Sequence, residues 1–175
     1  DVPGGYVGVD VFFVISGFLI TSIIARQLLH ADFSFVDFYW RRVRRLFPAL
    51  ILVLVTTLAL GWVLLLPNEF KELGKHTTAA AVFLANIALW RESGYFDTAA
   101  EFKPLLHLWS LGIEEQFYLL WPALLVMLWR RKTALLAMVA ILVLASFALS
   151  VQLARSAPVA NFYWPVSRFW ELGTG

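Results

Sequence analysis

Apolar positions in this 175-residue chain gather into long blocks. A helix that crosses a bilayer needs about 20 mainly apolar residues. Val7–Leu29, "VGVDVFFVISGFLITSIIARQLL", meets that length and carries Asp10 near its start. Leu46–Leu66, "LFPALILVLVTTLALGWVLLL", is the cleanest block and holds no charge. Thr77–Trp90, "TTAAAVFLANIALW", is shorter and weaker. Leu108–Trp129 is long but contains Glu114, Glu115 and Gln116. Thr133–Leu153 is again free of charge, and a further segment opens near Val166. The pattern predicts an all-α fold, a polytopic transmembrane helix bundle of about five apolar segments plus the start of another.

Polar stretches punctuate these blocks. "PNEFKELGK" (Pro67–Lys75) reads as a loop opened by a Pro-Asn turn, and "RESGYFDTAAEFKP" (Arg91–Pro104) as a polar, aromatic interfacial loop. Pro48 and Pro104 are expected near first helical turns, where proline is tolerated. Pro122 lies inside the fourth block and is expected to kink it. Trp40, Trp62, Trp90, Trp129 and Trp164 sit near block ends, as interfacial anchors do. The chain shows no internal repeat, low-complexity run or soluble domain.

Lysine and arginine set orientation. Arg41, Arg42, Arg44 and Arg45 form one basic cluster, and Arg130, Arg131 and Lys132 a second. Both are expected on the cytoplasmic side, which requires an even number of crossings between them. Three apolar blocks intervene. The weakest, Thr77–Trp90, is therefore expected to be re-entrant or interfacial.

Composition narrows the class. The chain is 61% hydrophobic and only 15% charged, with a mean hydropathy of +0.75. A soluble domain carries roughly 25% charged residues, so the balance indicates an integral membrane protein, multi-pass by the block count. The formal net charge is +2, so the pI near 9.1 reflects clustered arginines and gives no support for nucleic-acid binding. There are no cysteines, which excludes disulfides, thiolate metal sites and cysteine nucleophiles. His30, His76 and His107 are far apart and show no metal-ligand spacing, so no metal is expected. The N-terminus lacks the features of a signal peptide. "RFWELGTG" closes the chain as an apolar segment opens, and the whole reads as a piece of a longer protein.

Several residues could carry chemistry. Arg42 and Arg45, three apart, share a helix face. Guanidinium forks suit phosphate and carboxylate, so the pair could hold a pyrophosphate or nucleotide phosphate. The plainer reading is a topology anchor at lipid head groups. Carboxylates within apolar segments cost roughly 3 kcal/mol each at a helix centre, so Asp10, Glu114 and Glu115 call for a reason. Asp10 fits a head-group position that caps its helix. Glu114 and Glu115 project about 100° apart, so they serve different partners: either a lined cavity or a structural pairing with arginine. His107, Ser110 and Glu114, at i, i+3 and i+7, fall on one stripe of one helix and resemble a Ser-His-Glu set. Triads are built from converging elements, and His107 fits better as a proton carrier or a hydrogen-bonded core residue. Ser16-Gly17 reads as a small pair that permits close helix approach, ahead of a nucleophilic Ser16.

Four blocks in order, "GGYVGVDVFFVISGFLIT", "FYWRRVRRLFPAL", "PLLHLWSLGIEEQFYLLWP" and "SRFWELGTG", are together very specific. From about Gly4 to the last residue the chain resembles the acyltransferase-3 family of multi-span membrane enzymes, and the resemblance implies that residues 1–175 are a partial acyltransferase-3 transmembrane domain. The resemblance implies an O-acyltransferase of the bacterial inner membrane. The implied donor is acyl-CoA, most often acetyl-CoA, as co-substrate, with no permanently bound cofactor. The implied acceptor is a surface or exported carbohydrate or glycolipid, such as a polysaccharide or lipopolysaccharide. The family's RxxR motif maps onto Arg42 and Arg45, for donor binding. Its His-Glu-Glu block maps onto His107, Glu114 and Glu115, as catalytic residues. Asp10 and Ser16 map onto the substrate path. Family members also carry an arginine and a histidine in a span preceding "GGYVGVD", and that histidine is expected upstream of Asp1. The alternative reading is a transporter or flippase for a glycan or lipid-linked intermediate, since buried carboxylates and a kinked helix also suit a transport path.

Overall fold

The computed structural model describes residues 7–93 and 103–175. Among them the regular structure is entirely helical: α1 (Val7–Leu29), α2 (Phe35–Leu64), α3 (Pro67–Ala81), α4 (Ala85–Glu92), α5 (Leu108–Leu128), α6 (Lys132–Ser156), α7 (Pro158–Tyr163) and α8 (Pro165–Thr174). Helices α1, α2, α5 and α6 are long and apolar enough to cross a membrane. That is one fewer than the five apolar blocks, because Thr77–Trp90 is divided between α3 and α4. The chain packs as two compact units, Asp1–Phe33 with Ile113–Gly175, and Ser34–Gly112. Most of the expected loop Arg91–Pro104, residues 94–102, lies outside the described residues, as do the first six positions.

In the first unit, α8 packs against both α1 and α6. Helix α1 buries Phe13, Ser16, Gly17, Ile20 and Ile24, spaced three and four apart on one face. Its other sides expose Val11, Phe12, Ile15, Phe18 and Leu19, a surface suited to lipid and costly in water. The Ser16-Gly17 expectation of close approach holds. A Cβ on Gly17 would overlap the backbone carbonyl of Leu172 in α8. Trp121 of α5 donates its indole N–H to the Thr21 hydroxyl of α1 at 2.8 Å. Pro122 lies inside α5, as its position in the fourth block implied.

Ser146 ties α6 to α8 in an unusual way. Its hydroxyl donates to the Val166 carbonyl at 2.6 Å and accepts from the Trp170 N–H at 3.0 Å. A regular helix would pair those two groups with each other. A side chain placed between them is a known cause of helix bending.

The second unit is built on α2. This helix starts at Phe35, well before the apolar block at Leu46, because Ser34 caps it: the Ser34 hydroxyl accepts from the Asp37 N–H at 3.3 Å. The four arginines are therefore inside the helix. Pro48 is interior too, which corrects its expected first-turn placement. At 30 residues, α2 is about 45 Å long and exceeds a hydrocarbon core of about 30 Å. The surplus is the arginine-bearing start. Pro104 does fall in the turn that leads into α5.

Pro67–Lys75 is helix rather than loop, which corrects the second expectation. Pro67 occupies the first turn of α3, where its missing N–H costs nothing. Glu69 accepts from the Leu66 N–H at 2.9 Å, half of a capping box. Glu72 and Lys75 pair one turn apart at 2.6 Å. The mixed charges that suggested a loop are the start signals of a helix. Helix α3 then runs back along α2. A Cβ on Gly61 would collide with the Leu73 side chain, Trp62 meets Phe70 edge to face at 5.4 Å, and Phe47 meets Phe83 at 6.0 Å. Leu50, Leu54, Leu73, Ala80, Ala85, Leu105 and Leu108 form the core.

The chain reverses at Phe83, whose φ of 58° lies in the left-handed region. The Leu84 N–H closes the break on the Ala79 carbonyl at 2.7 Å. Helix α4 then returns, and Glu92 reaches His76 at 2.6 Å. Sixteen residues of continuous helix would hold that pair about 24 Å apart. Thr77–Trp90 is thus part of a helical hairpin that turns back, not a single span. Two candidate spans, α2 and α5, then separate the two basic clusters, and the parity conflict in the sequence disappears. Because the chain has no cysteine, single cysteines report sidedness cleanly. Lys75→Cys and Arg91→Cys are expected to react with an impermeant thiol reagent from the same side of sealed vesicles. Reaction from opposite sides would contradict the hairpin.

Candidate functional site

A charged cluster sits where α8 meets α1. The Nη1 of Arg168 donates to Oδ1 of Asp10 at 2.7 Å and to Oε1 of Glu171 at 2.7 Å. Its Nε donates to the Phe162 carbonyl at 3.4 Å, and the guanidinium lies 5.3 Å from the Phe162 ring centre. Side-chain exposures are 14% for Arg168, 32% for Asp10 and 1% for Glu171. Local sequence explains the placement. Pro165 starts α8, and the Ser167 hydroxyl bonds the Asn161 and Trp164 carbonyls at 2.9 and 3.0 Å, tying the end of α7 to the start of α8. Arg168 and Glu171 then stand one turn apart, where they can pair. Sequence reasoning quoted this stretch, "SRFWELGTG", and passed over its charges. The available signal was an arginine and a glutamate three apart in an apolar setting. Asp10 is in the first turn of α1, as expected, but it is an ion-pair partner rather than only a cap.

Glu114 is buried and accepts a short hydrogen bond from the Tyr118 hydroxyl, one turn along α5. Its partner is thus a phenol, not an arginine as the structural reading of the Glu pair supposed. Glu115 is half-buried, in keeping with two side chains that point apart. His107 precedes α5, in the turn at residues 104–107, and is exposed. This corrects two readings. His107 does not stand on a helical stripe with Ser110 and Glu114, and it is not a buried core histidine in this chain. The reason is local: the Ser110 hydroxyl donates to the His107 carbonyl at 3.2 Å, at the N-terminal end of α5, and the helix starts one residue later. Ser16 is buried on the inner face of α1.

Arg42 and Arg45 lie in α2 on one face, as their spacing required. Arg42 is half-buried and Arg45 exposed. Their face points away from Leu54 and Gly61, which belong to the side packed on α3.

Two further features escaped the sequence. In the second unit, His76, Glu92 and Lys103 converge: Glu92 is 2.6 Å from His76 and 3.6 Å from Lys103. The hairpin brings His76 and Glu92 together. In the first unit, α5, α6 and α8 line an open cavity of about 610 Å³ walled by apolar side chains such as Phe117, Trp121, Leu142, Leu149, Phe169 and Leu172. None of the ionisable candidates lines it.

Comparison with known proteins adds the family. The model of the acyltransferase domain of the acyltransferase-3 family matches residues 3–175. An uncharacterized protein of Haemophilus influenzae is 39% identical over 88% of this chain, which spans 62% of that relative. The peptidoglycan O-acetyltransferase OatA of Listeria monocytogenes is 40% identical over 70% of this chain, which spans 20% of OatA. The chain thus spans less than two thirds of either relative. No solved structure matches. With four helices fit to cross a bilayer among the described residues and a family match along almost its whole length, the chain is an integral membrane protein and belongs to the acyltransferase-3 family.

Proposed function

We propose that this chain is part of a multi-pass O-acyltransferase of the bacterial inner membrane. It moves an acyl group, acetyl in the simplest case, from acyl-CoA to a hydroxyl of an exported carbohydrate. The family match over residues 3–175 carries this reading. The likeness to a peptidoglycan O-acetyltransferase favours a cell-wall glycan as acceptor over a lipopolysaccharide. In the reaction the sugar oxygen attacks the thioester carbonyl, the C–S bond breaks, and the hydroxyl proton passes through a base to the departing sulfur. The Arg42 and Arg45 forks hold the phosphates of the donor on the cytoplasmic side. Glu114, Glu115 and His107 serve the transfer. Tyr118 orients Glu114. Asp10 and Ser16 border the acceptor path, with Asp10 acting through Arg168.

The test separates grip from topology. Arg42→Lys and Arg45→Lys keep the positive charge that orients α2 and remove the bidentate fork. In the complete protein each is expected to raise the KM for acetyl-CoA about 10-fold, from the loss of charge-assisted bonds worth about 1.5 kcal/mol. Cysteine labelling should show unchanged sidedness. An unchanged KM in both variants would leave the arginines an anchoring role alone.

A further inference from the structure

The cluster of Asp10, Arg168 and Glu171 holds two carboxyl groups and one guanidinium. The same nitrogen, Nη1 of Arg168, serves one oxygen of each carboxyl. With both acids ionised, the cluster would carry one negative charge in excess. The second oxygen of Glu171, Oε2, is sealed from solvent and meets no donor among the described residues. Glu171 is 1% exposed, whereas the Asp10 side chain is 32% exposed and its charge is partly solvated. Among the described residues, the contacts that the other elements make with α8 bring no compensating cation. From α6 the contact is the Ser146 hydroxyl, from α7 the Phe162 carbonyl and ring, and from α5 the Phe117 and Trp121 rings against Phe169. The buried acid of α5, Glu114, is engaged by Tyr118.

A buried carboxylate with a bare oxygen is strongly disfavoured in a low-dielectric interior. Arg168 can neutralise one acid, and the better-solvated acid keeps its charge at less cost. We propose that the cluster is a one-proton site, with Asp10 ionised as the counter-ion of Arg168 and Glu171 protonated. The ligand of this site is a proton, carried on Oε2, and Glu171 accepts the Arg168 bond through its carbonyl oxygen, Oε1. Glu171 then carries a neutral carboxyl beside the carboxylate–guanidinium pair that joins α1 to α8.

The proposal is independent of acyl transfer, and so is its test. Infrared spectra of the complete protein in lipid at neutral pH are compared for wild type, Glu171→Gln and Asp10→Asn. Wild type should show a carbonyl band of a protonated carboxyl that moves in D2O. Glu171→Gln should lose it. Asp10→Asn should lose it as well, because Arg168 without its α1 partner draws Glu171 into the ionised form. A band unchanged in Glu171→Gln, or one that persists in Asp10→Asn, overturns the proposal. If Glu171→Gln does not fold, wild type labelled with carboxyl-¹³C glutamate decides. Loss of labelled carboxyl intensity on Asp10→Asn supports the site, and absence of any labelled protonated band refutes it.

Discussion

Arg168→Gln is expected to destabilise the protein by about 3 kcal/mol, read as a fall in the denaturant midpoint of the purified protein in detergent. The guanidinium holds Asp10, Glu171 and the Phe162 carbonyl at once, and lies over the Phe162 ring. Glutamine reaches none of these with a charge. Breaking one side of a buried ion pair typically costs about 3–5 kcal/mol, because the remaining charge is stranded. The Asp10 side chain is 32% exposed, so water recovers part of that cost and the lower end applies. Arg168→Lys keeps the charge but cannot serve two carboxyls and a carbonyl from one planar fork, and should fall between the two. A midpoint unchanged in Arg168→Gln would show that the cluster does not hold α1 to α8.

Gly17→Ala should also destabilise, by about 2 kcal/mol, although two effects oppose each other. Alanine favours helix over glycine by about 1 kcal/mol. Against this, the new methyl group would overlap the Leu172 carbonyl, which is backbone and cannot rotate away. Overpacking costs about 1–3 kcal/mol even when side chains can give, so the clash outweighs the propensity and α1 must move off α8. Gly17→Val adds a further branch and should cost more. Gly8 is the control. A Cβ there meets nothing within 4 Å, so Gly8→Ala should keep or raise stability. Equal behaviour of Gly17→Ala and Gly8→Ala in the same assay would refute the close contact.

Hydrophobic pattern alone placed α1, α5 and α6 to within a few residues, because long, mainly apolar blocks leave the backbone little alternative to a helix in lipid. It placed the start of α2 poorly. There the helix is amphipathic and begins at a polar cap, Ser34, rather than at an apolar residue. It read α3 as loop because Pro67, Glu69 and Lys75 look like turn chemistry until their spacing is matched to an N-terminus. Parity of the basic clusters did indicate that Thr77–Trp90 fails to span, and the reversal at Phe83 is how it does so. The face shared by Arg42 and Arg45 was legible from their spacing, as was the divergence of Glu114 and Glu115. The clusters of Asp10 with Arg168, and of His76 with Glu92 and Lys103, were not. They unite residues far apart in sequence, and one chain carries no signal of such proximity. His107 was misplaced for the opposite reason: a spacing that fits a helix says nothing about where the helix starts.

The most direct measurement is transfer itself. The complete protein is reconstituted in sealed vesicles with a cell-wall glycan acceptor, and acetyl-CoA labelled in its acetyl group is supplied to the face bearing Arg42 and Arg45. Label should appear as base-labile ester on glycan hydroxyls and should fall steeply in Glu114→Gln. Glycan that crosses the membrane without gaining label would instead point to a transporter and would contradict the assignment of acyl transfer to this bundle.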